Sequence, residues 1–426
     1  MGEGVLSAGL ARVDGVLACE GVPLDAIAAV AGTPAYVYSG GAIREAYERL
    51  SRALAPVRHR VHYSVKANSS LAVLRLLRAL GAGVDIVSGG ELFRARRAGF
   101  EGKDIVFSGV GKTEGELREA LAAGILLVNV ESESELRLLD RVAGSLGAVA
   151  PVALRVNPEV RVDTHHYIRT GERGNKFGIP YEEALATARL ALGMAHVRLA
   201  GLDMHIGSQL SHLDPYREGV MRLLELHATL KEEGAADLRY CDIGGGLAVT
   251  YDTEIPMDAQ AFADAVLPLV AASGLQLIVE PGRFLVGNAG VLVARVLYRK
   301  RSGGRDYVII DAGMNDLLRP SHYNAFHLVE GVRPRGGRLT ADVVGPVCES
   351  GDFVALDRDI ERVEEGDLLA IRSAGAYGYV MSSNYNSRPR AAEVMVEGER
   401  FAIVTARERY EDLVRLEPDA PAWRSA

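Results

Sequence analysis

From about Ala35 to Glu280, short runs of β-branched and other apolar residues alternate with longer segments rich in Ala, Leu, Arg and Glu, whose apolar positions recur three and four apart. Eight strands are expected to begin near Val61, Val84, Ile105, Leu126, Val152, Leu199, Tyr240 and Leu275. The stretches between them, among them Leu71–Leu80, Glu91–Ala98, Glu114–Ala122 and Tyr181–Ala191, carry the apolar stripe of a helix packed on a sheet. Eight βα units in series predict an α/β fold built on a closed, TIM-like (β/α)8 barrel of about 250 residues, placed at residues 33–285. In such a barrel the chemistry gathers where the strands end.

Beyond Glu280 the texture changes. Val291–Tyr298, Tyr307–Asp311, Asp352–Leu356, Leu368–Ser373, Glu393–Val396 and Phe401–Val404 are short apolar runs punctuated by Gly and Asp, with little helical period. They predict a mainly antiparallel β domain over residues 286–426, to which residues 1–32 add an element.

Composition narrows the function. At 426 residues, with 48 Lys+Arg against 56 Asp+Glu, the net charge is −8 and no long basic block is present. Nucleic acid is therefore a poor partner and a small molecule a good one. Met1-Gly2-Glu3-Gly4-Val5 lacks the basic and apolar regions of an export signal, and Leu6 stands where a myristoylation signal wants Ser or Thr. Asp264, Pro268, Gly274 and Gln276 interrupt the most apolar window, Ala261 to Val279, so no membrane span is expected. Cys19, Cys241 and Cys348 are too few and too scattered for a disulfide framework or a zinc cage, which fits the cytoplasm. His165-His166, His322 and His327 lack cysteine or carboxylate at zinc spacing, so no metal is expected.

Lys66 ends a β-patterned run, Tyr63-Ser64-Val65-Lys66-Ala67-Asn68, with no other basic residue in the next eight positions. Alternation sets it opposite Val61, Tyr63 and Val65, on the face that lines a barrel. From that segment alone a lysine snorkelling from a strand end is the commoner case, and what reverses it is the company Lys66 keeps downstream. Three other strand tips are polar and Gly-rich: Met204-His205-Ile206-Gly207-Ser208-Gln209, Asp242-Ile243-Gly244-Gly245-Gly246 and Val279-Glu280-Pro281-Gly282-Arg283. Successive glycines let backbone N–H groups close on an anion such as phosphate, although a plain tight turn reads the same. The tract is no dinucleotide fingerprint, since Val249 stands where the third glycine belongs. An amine, a phosphate grip and a strand-end acid together suit pyridoxal 5′-phosphate, with Lys66 as its Schiff-base partner and Glu280 keeping the pyridine nitrogen protonated.

The set YSVKAN, HIGSQ, DIGGG and EPGR resembles the pyridoxal-phosphate decarboxylases of the alanine racemase type of fold. Arg155-Val156-Asn157-Pro158, Asn175-Lys176-Phe177-Gly178-Ile179, Asp311-Ala312-Gly313-Met314-Asn315-Asp316 through Arg319-Pro320 to Tyr323, Cys348-Glu349-Ser350-Gly351-Asp352, Gly375-Ala376-Tyr377-Gly378 and Ser383 to Arg390 are similar to the diaminopimelate decarboxylases. The resemblance runs from about Pro34 to Val396. It implies decarboxylation of meso-2,6-diaminopimelate to L-lysine and CO2, the last step of bacterial lysine synthesis.

By the same resemblance, Lys66 carries the cofactor, His205 stacks on its ring, and Glu280 faces its nitrogen. Ser208, Gly244, Gly245, Gly246, Gly282, Arg283 and Tyr377 complete the cofactor site. Arg283, Arg319, Tyr323 and Tyr377 meet the substrate, Glu349 takes its distal ammonium, and Cys348 donates a proton to the carbanion. Cys348 and Glu349 are implied to reach the neighbouring subunit's site, making a homodimer. Read from the residues alone, Cys348 is equally a buried filler, and Arg388, near Asn384, is a loop anchor. Two other readings remain. One is a sibling decarboxylase for another basic amino acid or a carrier-bound substrate, disfavoured because a substrate without a far carboxylate leaves the arginines unpaired. The other is a non-catalytic pyridoxal-phosphate carrier, which has no use for Cys348 and Glu349.

Overall fold

The computed structural model describes residues 9–160 and 174–424. His165 and His166 lie outside the described residues. The chain divides into two compact units, one of Ala42–Gly287 and one of Met1–Gly41 with Asn288–Ala426.

The first unit is the expected barrel. Its eight parallel strands are His59–Ser64, Gly83–Ile86, Ile105–Phe107, Leu127–Val130, Ala150–Asn157, Val197–Asp203, Tyr240–Asp242 and Gln276–Val279. Each pairs with the next, and the last returns to the first through Leu277 opposite His59 and Val279 opposite Val61, which closes the sheet. A two-residue strand, Ile179–Pro180, adds to the fifth. Four of the barrel's helices begin on side-chain caps. Ser88 accepts from Glu91 N at 3.2 Å, Ser132 from Glu135 N at 3.2 Å and Asp258 from Ala261 N at 2.8 Å, each satisfying a first-turn N–H that has no partner within the helix. Thr113 and Glu116 form a reciprocal capping box. The apolar window that fails as a membrane span is two elements, the helix Ala259–Ala271 and the last barrel strand. Among the described residues no helix is long and apolar enough to cross a membrane.

The second unit is mainly antiparallel β. A small sheet of Leu10–Val13, Val16–Cys19 and Val22–Pro23 packs with the helix Leu24–Ala31 into an apolar core containing Leu17, Leu24, Ile27 and Val291. A nine-stranded sheet is organised around the long strand Gly290–Ser302. Two of its pairings are parallel, Arg305–Ile310 with Arg338–Val344 and Ala35–Ser39 with Ala392–Glu397. Ala35–Ser39 therefore hydrogen-bonds within this sheet, although it falls in the 33–285 span expected of the barrel. Its five residues are all buried, and a short apolar run of that kind reads alike in either kind of sheet. Two strands, Val329–Gly331 and Arg338–Val344, were not expected from the pattern.

Candidate active site

Lys66 does not continue the strand alternation. The first barrel strand ends at Ser64, and Lys66 sits at the centre of a 3₁₀ turn, Val65–Ala67, closed by Asn68 N–H to Val65 O at 3.1 Å. The turn lifts the side chain off the strand, leaving it 37% exposed at the barrel mouth, where an amine can meet a carbonyl. Its neighbour is Asp85, at the end of the second strand, 3.7 Å from Nζ. Ser64 N–H donates to Pro281 O at 3.2 Å, tying this strand end to the Glu280-Pro281-Gly282 tip. A Cβ on Gly282 would stand 3.0 Å from Ala67 Cβ and 3.1 Å from Ser64 Cβ, so glycine allows the two tips to close.

His205, Gly244–Gly246 and Glu280 meet at the ends of the last three barrel strands, the eighth of which pairs with the first. Gly245 N–H donates to His205 Nδ1 at 3.1 Å, which makes that nitrogen an acceptor and places the ring hydrogen on Nε2. Burial, then Lys66 and Arg155, hold the imidazole well below its usual range, so it is neutral. A Cβ on Gly245 would fall 2.1 Å from Glu280 O, and Gly244 and Gly246 have φ of +66° and +100°. The glycines are thus required by close approach of backbone to backbone. They do not offer three free donors, because Gly244 N–H is taken by Asp242 Oδ1 at 3.0 Å and Gly245 N–H by His205. Gly246 N–H alone of the three makes no hydrogen bond with the described residues.

Glu280 is 5% exposed. Ser108 Oγ and Asn129 Nδ2 approach its Oε1, both at 3.4 Å. Burial, reinforced by Asp242, Asp85 and Asp203, pushes its carboxyl well above the usual range. Arg283 opens the short helix Arg283–Val286 and donates to Tyr251 OH at 2.5 Å and Ser208 Oγ at 3.2 Å. The barrel unit thus gathers Lys66, His205, Ser208, Gly244–Gly246, Glu280, Gly282 and Arg283 at one end of its strands. Asp85, Ser108, Asn129 and Asp203 join them without having been singled out from the sequence. All are polar residues at or just beyond a strand end.

The other expected residues lie in the second unit. Arg319 opens the helix Arg319–Tyr323, is buried, and directs Nη1 at His327 Nε2, 3.0 Å away. His327 Nδ1 meets Arg372 O at 2.8 Å. An arginine can only donate, so His327 accepts at Nε2 and donates at Nδ1, a neutral tautomer that orients Arg319. Tyr323 is half-buried and packs edge-on against His322, with ring centroids 4.5 Å apart. Tyr377 holds a φ of +56°, a strained conformation for a bulky residue. Cys348 and Glu349 occupy the connection from Arg338–Val344 to Phe353–Glu361. Both are exposed, so the cysteine is no buried filler, and its N–H donates to Asn386 Oδ1 at 2.8 Å. Arg388 anchors its loop by donating to Asp311 O at 3.1 Å.

Residues 40–287 match the family of pyridoxal-dependent decarboxylases, pyridoxal binding domain. The diaminopimelate decarboxylase of Vibrio cholerae is 48% identical over 410 residues, covering 96% of this chain and 98% of its own. That of Pseudomonas aeruginosa is 50% identical over 401 residues, covering 94% and 96%. The chain belongs to the diaminopimelate decarboxylase family. The crystal structure of a diaminopimelate decarboxylase from Helicobacter pylori, complexed with L-lysine, matches it with a TM-score of 0.89 at 40% identity, over 92% of this chain and 99% of that one. The barrel mouth of this family member fits a pyridoxal group on its own chemistry. It has an accessible amine, a neutral flat ring, a backbone N–H and a serine for an anion, and a buried acid short of donors.

Proposed function

We propose that the protein decarboxylates meso-2,6-diaminopimelate to L-lysine and CO2, with pyridoxal 5′-phosphate as cofactor and a homodimer as the working unit. The observation that carries this reading is the convergence of Lys66, His205, Gly246 and Glu280 at the strand ends of one barrel, in a chain whose relatives bear that activity in their names. Lys66 would hold the cofactor through its amine. Gly246 N–H and Ser208, with Arg283 behind Ser208, would take its phosphate, joined by Tyr377. When bound, pyridoxal phosphate supplies a ring that accepts the electron pair released as the carboxylate leaves.

The chain's own groups do the rest. His205, neutral and fixed by Gly245, offers its face to an aromatic ring without repelling a positive one. Glu280 would hold a proton at the pyridine nitrogen and so keep the ring electron-poor. Arg319, held by His327, and Tyr323 bind the far carboxylate, and Glu349 takes the distal ammonium. Cys348 supplies the proton that replaces CO2. Its exposure supports a role at the partner subunit's site, where assembly would cover it. The direct test is an absorbance scan of the purified protein followed by measurement of CO2 release from each diaminopimelate stereoisomer. A yellow protein active on the meso form is expected. A colourless protein, or one releasing CO2 only from another basic amino acid, would replace this reading with the carrier or the sibling decarboxylase.

A further inference from the structure

Three carboxyl groups stand together inside the barrel with too little positive charge to ionise them all. Asp203 and Asp242 are register partners on adjacent strands, and Glu280 follows the strand after them. Oxygens of the three side chains lie within 4.8 Å of one another, and the residues are 1%, 0% and 5% exposed. The neighbouring cations are already engaged. Arg155 pairs with Glu131 at 2.7 Å and reaches Asp203 only at 3.9 Å, while Lys66 faces Asp85 at 3.7 Å. His62 and His205 bring no charge, because burial lowers both, His62 to about 3.

Neutral donors are also scarce. Asp203 Oδ1 and Asp242 Oδ2 make no hydrogen bond with the described residues. Glu280 has two contacts at the long limit of 3.4 Å. Charged carboxylates so buried and so close would repel with little screening, and the cheapest relief is a proton held between two of them. The surroundings agree. Burial pushes Asp242 up to about 7 despite the Gly244 N–H, its contact with Glu280 and the Asn129 amide, and pushes Asp203 and Glu280 well above the usual range.

We propose that Asp242 and Asp203 are positioning residues that hold one buried proton in common with Glu280, and that Glu280 passes this proton to the ring base it meets. The inference rests on the pyridoxal reading of the barrel. The proton lies between carboxyl oxygens of Asp242 and Glu280 beforehand. The transfer breaks one O–H bond and forms one N–H bond. It would leave the three acids one unit more negative and the ring nitrogen one unit more positive, so that neither new charge would be buried without its opposite.

The test uses the whole protein before and after loading, and no turnover. Infrared difference spectra at neutral pH report protonated carboxyls by their carbonyl stretch. Cofactor-free wild type should show such a band, and adding pyridoxal phosphate should remove it. Asp242→Asn keeps an acceptor for Gly244 N–H and turns an amide donor toward Glu280, so it should lose the band in the cofactor-free state. Glu280→Gln should lose it too, from the other side of the pair.

Thermal melts give an independent reading. A carboxyl whose pKa is raised from its ordinary 3.8 to about 7 binds its proton more tightly folded than unfolded. Its contribution to stability is complete below the unfolded value and is lost as pH rises through the folded one. Cofactor-free wild type should therefore lose Tm more steeply than Asp242→Asn between about pH 4 and about pH 7. A folded Asp242→Asn protein that keeps both the band and the wild-type slope overturns the proposal. A wild-type protein that has the band but takes up no pyridoxal phosphate overturns the delivery step and the pyridoxal reading, leaving the shared proton established.

Discussion

Lys66 Nζ stands 3.7 Å from Asp85 Oδ2, and the same oxygen accepts the Ser64 hydroxyl at 2.7 Å. Asp85 is wholly buried and Lys66 is not, so the pair joins the barrel interior to its mouth. The carboxylate supplies a fixed anchor for a side chain that is otherwise long and mobile. Lys66→Ala removes the amine and leaves Asp85 with Ser64 as its remaining close partner. The variant should be colourless with added pyridoxal phosphate and less stable by about 1–3 kcal/mol. Lys66→Ala/Asp85→Asn should regain most of that stability and none of the colour. Retention of a borohydride-reducible adduct in Lys66→Ala would assign the cofactor to another lysine.

Gly245→Ala should be poorly tolerated, because the new methyl would lie 2.1 Å from Glu280 O and 2.9 Å from its carbonyl carbon. Backbone must shift, at a cost of about 1–3 kcal/mol, and the shift moves Glu280 and His205 together. Denaturant titration should show the loss, and pyridoxal phosphate affinity should fall with it. Gly115→Ala is the control. It lies in the helix Glu114–Ala122 with nothing within 4 Å, and should be neutral or stabilising by about 0.4–1 kcal/mol.

Glu91 adds a second pH dependence, of the same sign as that of Asp242. Burial raises it from its ordinary 4.5 to about 7, partly offset by the Val87 N–H that it accepts at 2.8 Å. The folded protein then binds a proton that the unfolded chain has released. Stability from this group is present below about 4.5 and is lost as pH rises through about 7. Glu91→Gln should flatten the fall of Tm across that window. An unchanged slope would mean that Glu91 is ionised throughout.

Much of the barrel was legible because its outer helices and its strands differ in period. The eight strand starts agree with the observed strands to within a few residues. The interior was harder to read. Asp85, Asn129, Arg155, Asp203 and Asp242 are buried polar residues that meet one another across strands, as in the register row Arg155, Asp203 and Asp242. Along the chain each is a single polar residue in an apolar run, the same mark a solvent-facing position leaves. Alternation along the sequence continues through Lys66 and puts it on a strand face, and only the 3₁₀ turn breaks the pattern. Arg338–Val344 does not read as an apolar run because Arg338, Thr340 and Asp342 interrupt it, although Asp342 is buried.

His327 should matter to substrate affinity without touching the reaction. His327→Ala removes the acceptor 3.0 Å from Arg319 Nη1 and the donor to Arg372 O. With Arg319 less fixed, KM for diaminopimelate should rise about 10-fold, equivalent to about 1.4 kcal/mol, with kcat little changed. Inhibition by L-lysine, which lacks one of the two carboxylates, should respond differently. Equal losses for both ligands would take Arg319 out of the substrate site.

Subunit mixing decides whether Lys66 and Cys348 serve one site from two chains. On the proposed reading Lys66→Ala and Cys348→Ala proteins should each be nearly inactive, since one would lack the cofactor's amine and the other the proton donor. If Cys348 reaches the partner's barrel, a heterodimer has one site that lacks both groups and one that has both. Random exchange at equal amounts puts about half of the dimers in that state, so activity should recover to about a quarter of wild type. If both groups come from the same chain, each heterodimer site lacks one of them and no recovery follows. The two arrangements thus differ between a quarter and nothing, provided that exchange is verified separately by mass or by tagged pull-down. Recovery that also scales with the heterodimer fraction, as the mixing ratio is varied, would show that the exposed Cys348 loop works in trans.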